Sequence, residues 1–136
     1  MARRRAQRSA GGGAPNPALV VSDDGEDILA ALEGAGFAAE RAPGVAEAGG
    51  AGGAGWRAVA TPPLVVLDLR GEGVRPDAVR RLRAEAGRLP IVAVADEPAA
   101  ARAAVEAGAN ESVGTAELAR ELPELANVLL RMATLW

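Results

Sequence analysis

Three short apolar runs in this chain each stop on a carboxylate, and that repeated pattern limits the folds open to it. ALVV (residues 18–21) leads into Ser22, Asp23 and Asp24; LVVL (64–67) leads into Asp68; IVAVA (91–95) leads into Asp96. The runs are apolar throughout, with no polar residue at every second place, so both faces of each strand must be covered, as in a parallel sheet wrapped by helices. Burying a carboxylate without partners costs several kcal/mol. Acids at three strand ends therefore imply a crevice there that solvates or binds charge, and open α/β sheets carry their functional crevice at the carboxyl ends of the strands.

The segments between these runs read as helices. Residues 23–35 form a helix with Asp24 as N-cap, Glu26 and Asp27 at its positive end, and Ile28, Leu29 and Leu32 on one face. Gly34 and Gly36 stop it, and residues 37–41 read as a second strand. Glycine recurs through residues 43–61 at a cost of about 1 kcal/mol each in a helix. A short turn, a Gly-rich loop and a second turn around 56–60 are expected there. Residues 76–86 read as a helix with Val79 and Leu82 inward, 97–107 as an Ala-rich helix stopped by GAN, and 111–114 as a fifth strand. A last helix is expected over 121–135, with Pro123 in its first turn. Leu122, Leu125, Leu129 and Met132 give it a core stripe, while Val128, Leu130, Leu135 and Trp136 lie on other faces. A helix apolar nearly all round is either buried or meets a partner, and a dimer or partner surface on this helix, with a homodimer as one form of it, is the expectation. The predicted architecture is one α/β domain over residues 18–136, an open sandwich with five parallel strands, behind a disordered Arg/Gly-rich tail at 1–17.

Composition removes whole classes of chemistry. The chain has no cysteine and no histidine, which excludes thiolate metal sites, cysteine nucleophiles and a Ser-His-Asp triad. Lysine is absent, and all 15 basic residues are arginines. Four of them (Arg3, Arg4, Arg5, Arg8) precede every one of the 18 acidic residues, leaving an acidic body behind a basic tail. That body and the scarcity of aromatics argue against nucleic acid as the main partner, and the tail reads as a solvated arm. No stretch approaches the roughly 18 apolar residues of a membrane span, and the Arg-rich start lacks the apolar region of a secretory signal. No membrane association and a cytoplasmic location are expected.

In order and spacing, several segments resemble the receiver domain of two-component response regulators (CheY-like). ALVVSDD is similar to the first strand with its acidic pair, and PPLVVLDLR to the third strand with its terminal phosphoacceptor aspartate. RRLRAEAGRLPIVAVAD resembles the third helix and fourth strand, AAVEAGANESVGT the end of the fourth helix and the fifth strand, and LANVLLR the end of the last helix. The resemblance implies a flavodoxin-like (βα)5 fold and a role in phosphorelay signal transduction. It also implies a phosphoryl group taken from a histidine kinase or other signalling partner, with no enzymatic activity beyond that acceptance. In that scheme Asp68 is the nucleophile. A magnesium ion is held by Asp23, Asp68 and the backbone carbonyl of Arg70, with Asp24 as a further candidate ligand.

The chain departs from that pattern at the groups that read the phosphoryl group out. Ser22 stands where the first acid of the pair is expected, Ala95 where a hydroxyl residue follows the fourth strand, and Thr115 where the lysine falls. Ala116 replaces the proline after that lysine, Ser112 the aromatic switch residue, and RGEG follows Asp68 where a proline is usual. Losing a cation beside a phosphoryl oxygen removes a contact of about 1.5–3 kcal/mol. Without differential contacts, a modification shifts no conformational equilibrium. The expected function is therefore an atypical, pseudo-receiver domain that signals through protein interaction, with phosphorylation at Asp68 vestigial or weak. The alternative is an active Mg2+-dependent phosphoacceptor. A small nucleotide-binding module ranks last: GAGGAG (50–55) matches a dinucleotide pattern but interrupts an Ala-Gly tract and does not open a helix behind a strand. Asp96 is read as a loop residue at the start of the following helix.

Overall fold

All five expected strands form: β1 (Pro17–Val21), β2 (Ala38–Ala42), β3 (Leu64–Asp68), β4 (Ile91–Val94) and β5 (Glu111–Val113). They come from a computed structural model that describes residues 16–42, 64–71, 74–85, 87 and 89–135. Most of the tail, the Gly-rich stretch with GAGGAG, and Trp136 lie outside the described residues. The strands pair in parallel in the order β2-β1-β3-β4-β5. The chain winds one way from β1 to β2 and the other way from β3 to β5. The crevice of such a sheet falls between β1 and β3, at their carboxyl ends.

Among the described residues, four helices cover the sheet: α1 (Glu26–Gly34), α2 (Pro76–Glu85), α3 (Pro98–Ala107) and α4 (Leu118–Leu135). The alternation of side chains along each strand divides the apolar runs between two cores. Ala18, Val20, Leu64, Val66, Val92, Val94 and Val113 pack with Ile28 and Leu32 of α1 and with Leu118, Leu122, Ala126, Leu129 and Leu130 of α4. Leu19, Val21, Val65, Leu67, Ile91 and Ala93 pack with Val79 and Leu82 of α2 and Ala104 and Ala107 of α3. Each large side chain removed fully from water contributes about 1.5–3 kcal/mol. The same alternation places Ser22, Asp68 and Asp96, each an even step beyond a residue of the first core, on the α1/α4 side.

Several boundaries differ from the sequence expectation. The residue before α1 is Gly25, at φ 66°, and no side chain caps the helix; Asp24 is not its N-cap. Gly25 turns the chain against Ser22, where an added Cβ would lie 3.0 Å from the serine Cβ and Oγ. Asp24 instead donates its backbone N–H to Ser22 Oγ at 3.1 Å. The last helix begins three residues early, after a 3-10 turn over Thr115–Glu117, so Pro123 lies inside it. Burial of Leu118 beside Leu122 starts the helix sooner, and Pro123 removes one donor where Ala119 is exposed to water. Its buried stripe includes Leu130, while Met132, expected in the core, is 47% exposed.

Arg83 joins the ends of α2 and α3 by hydrogen bonds to backbone carbonyls and Asn110. Its guanidinium donates to the carbonyls of Gly108, Gly87 and Leu89 and to Asn110 Oδ1. Asn110 Oδ1 also accepts the N–H of Ile91 at 2.8 Å, which anchors the start of β4. Gly108 has φ 127°, and a Cβ there would fall 2.9 Å from Arg83 Cγ. Arg83→Ala should lower unfolding free energy by about 1–3 kcal/mol, because part-buried carbonyls lose their donor. Urea unfolding of the wild type and the variant side by side checks this.

Candidate functional site

Strand register puts Ser22 beside Asp68. Val21 lies opposite Leu67, so the next pair along is Ser22 and Asp68, both buried, at 2% and 8% exposure. The Ser22 hydroxyl donates to Asp68 Oδ2 at 2.7 Å. From the end of β2, Arg41 donates to the carbonyls of Ser22 and Asp23 and fixes the loop that carries them.

The remaining partners of Asp68 all come from Arg70. The Arg70 backbone N–H and Nε both donate to Asp68 Oδ1, at 3.1 and 2.8 Å, and Nη2 donates to Oδ2 at 3.0 Å. The backbone contact is a two-residue turn of the Asx type. The fork-on-carboxylate geometry is the strong, bidentate form of the Arg–Asp pair. Arg70 Nη1 and Nη2 also grip both oxygens of Asp27, at 2.8 and 3.0 Å, in the first turn of α1. Nη1 donates further to Thr115 Oγ1 at 3.1 Å. Thr115 in turn donates its backbone N–H and hydroxyl to the two oxygens of Asp96, at 2.7 and 2.8 Å. One guanidinium thus links the end of β3 to α1 and, through Thr115, to the end of β4.

The charges adjust accordingly. Burial alone would push the Asp68 carboxyl up, but the hydrogen bonds from Arg70 and Ser22 outweigh it and hold it below the ordinary aspartate value. Asp27 is lowered chiefly by its side-chain bond to Arg70, and Asp96 by the backbone N–H of Thr115 and then its hydroxyl. Arg70 is raised well above its ordinary value by Asp27 first and Asp68 second.

The cleft is lined by Ser22, Asp23, Asp24, Asp27, Asp68 and Arg70 among others, so the four metal-ligand candidates Asp23, Asp24, Asp68 and Arg70 all border it. Asp23 and Asp24 are exposed at its rim. Among the described residues, no three carboxylates converge closely enough to hold a metal ion. The sequence reading used only the Arg70 carbonyl and overlooked its side chain and Asp27. The signal was present: residues two apart in extended chain point the same way, so an arginine two places after Asp68 can fold back on it.

Because Asp68 and Asp27 titrate lower in the folded than in the unfolded chain, their contribution to stability is complete above about pH 5 and drains as pH falls through the folded values. Arg70→Ala should cost about 1.5–3 kcal/mol near pH 7, mostly at Asp68. The half-exposed Asp27 pair contributes under about 1 kcal/mol of this because solvent screens it. The variant's stability should also vary less steeply below pH 5 than the wild type's, as read by urea unfolding across pH.

Neither protein-family models nor curated protein sequences match this chain. Solved structures do. A response-regulator receiver domain from Clostridium thermocellum superposes with TM-score 0.70 at 18% identity, covering 88% of this chain and 98% of its own. A LuxR family DNA-binding response regulator from Silicibacter pomeroyi is 26% identical with TM-score 0.65, over 86% of this chain and 93% of its own. The receiver domain of a sensor histidine kinase from Pseudomonas aeruginosa, with a magnesium ion coordinated in its active-site cleft, is 20% identical with TM-score 0.68, over 87% and 99%. No helix among the described residues is long and apolar enough to cross a membrane. With its five parallel strands in this order and a buried aspartate at the end of the central one, the chain has the CheY-like fold of response-regulator receiver domains.

Proposed function

We propose that this chain is an atypical receiver domain that signals through protein contacts, with Asp68 withheld from phosphoryl transfer. One observation carries the reading. A carboxylate offers about four lone-pair positions, and Asp68 already accepts from Ser22 Oγ, Arg70 N, Arg70 Nε and Arg70 Nη2. A nucleophilic oxygen needs a free lone pair aimed at phosphorus, and neither oxygen of Asp68 has one while Arg70 is in place.

The surrounding residues support the same reading. Ala95, buried beyond β4, offers no hydroxyl to a phosphoryl oxygen. Thr115 spends its hydroxyl and N–H on Asp96. Fixed contacts of this kind leave the β5–α4 junction with little to gain from a phosphoryl group on Asp68. The partner class is a histidine kinase or other signalling protein. A second copy of this chain is a further candidate, meeting Val128 and Met132, which stand half-exposed on α4.

Incubating the full chain with a small-molecule phosphodonor and Mg2+, followed by intact-mass measurement, should show no stoichiometric phosphoryl adduct. An adduct that forms in the wild type and is lost in Asp68→Ala would establish the chain as an active phosphoacceptor instead.

A further inference from the structure

The magnesium ion implied by the fold must be tested against the residues that would hold it. Such an ion needs oxygen ligands with free lone pairs in octahedral array, and the lone pairs of Asp68 are spent on Ser22 and Arg70. Among the described residues, the carboxylates of the cleft also do not converge as a group of three. The residues present do not fit a divalent metal.

They fit a guanidinium closely. Arginine has five N–H donors. In Arg70, Nε takes Asp68 Oδ1, Nη1 takes Asp27 Oδ2 and Thr115 Oγ1, and Nη2 takes Asp27 Oδ1 and Asp68 Oδ2. Every donor has its own acceptor, and the acceptors come from the end of β3, the first turn of α1 and the 3-10 turn before α4. The side chain is 20% exposed, so the charge sits within the cleft and not over it. Ser22 supports the exchange: with a hydroxyl at that position, one guanidinium balances the buried carboxylate, whereas a second buried acid would call for more positive charge.

We propose that the Arg70 guanidinium is the resident cation of this cleft, occupying the place of a divalent metal and latching Thr115 to the β3 end. The latch extends through Thr115 to Asp96, so one side chain sets the relative positions of the loops after β3, β4 and β5 and the first turn of α1. The inference shares with the proposed function the observation that Arg70 engages Asp68, but it concerns metal binding and loop position, not phosphoryl transfer.

Mn2+ titration of the full-length protein, uniformly labelled with nitrogen-15, tests it. In the wild type, the Arg70 Nε–H resonance, assigned by its loss in Arg70→Ala, should persist through millimolar Mn2+ without selective paramagnetic broadening. Mg2+ should leave the melting temperature unchanged. In Arg70→Ala the melting temperature should fall, the Thr115 amide resonance should move, and Mn2+ affinity should rise about tenfold or more as Asp68 and Asp27 lose their shared cation. Saturable Mn2+ binding in the wild type that is abolished by Asp68→Asn would overturn the inference. So would an Arg70→Ala protein that gains no Mn2+ affinity and keeps its Thr115 resonance in place. If Arg70→Ala does not fold, the wild-type titration decides alone, with the resonance assigned in Arg70→Lys. A phosphoryl adduct formed in the absence of any divalent cation would defeat the proposed function and leave this inference standing. Saturable wild-type Mn2+ binding would defeat this inference whatever the adduct measurement shows.

Discussion

The Asp68–Arg70 pair is the contact on which the carboxyl end of this sheet depends. A central strand covered on both faces cannot end on a bare carboxylate, because desolvating the charge costs several kcal/mol. Receiver-type folds place a crevice there, and this chain fills the crevice from within. Arg70 supplies the positive charge, Ser22 the remaining hydrogen bond, and Asp27 and Thr115 occupy the donors that Asp68 leaves over. Paired in this way, the carboxylate remains ionised despite its burial.

The geometry of the pair follows from the sheet. Parallel register sets Ser22 level with Asp68. Strand alternation sends both, together with Asp96, to the side covered by α1 and α4. Asp27 in the first turn of α1 and Thr115 just before α4 are therefore the groups within reach of a side chain leaving the end of β3. The opposite side of the sheet is held by different means. There Arg83 binds neutral carbonyls between α2 and α3, so the two arginines serve separate ends of the molecule, one balancing charge and one satisfying backbone acceptors.

Much of this was legible in the residues. Uninterrupted apolar runs such as LVVL and IVAV announced strands buried on both faces, and they are. Of the acids after them, Asp23, Asp24 and Asp68 line the crevice, and Asp96 joins its network through Thr115. Helix ends were less legible. Asp24 looked like a cap, but Gly25 at positive φ turns the chain first and diverts the Asp24 N–H to Ser22. Met132 looked inward from its spacing, yet Leu130 takes the buried place, because it continues the i, i+4 row of buried Leu118, Leu122 and Ala126.

The sequence by itself determined the class of fold, the strand that carries the site, and the absence of histidine, cysteine and lysine from any chemistry there. Each of these depends on residue type and local periodicity, which need no knowledge of what lies across the sheet. Tertiary structure alone decided what Asp68 is bonded to. Asp27 and Thr115 are 43 and 45 residues from Arg70 along the chain, and only folding brings them within hydrogen-bond range. An arginine two residues after an aspartate can point to solvent or fold back. The choice rests on whether acceptors from α1 and the β5–α4 junction wait for its other donors, and here they do.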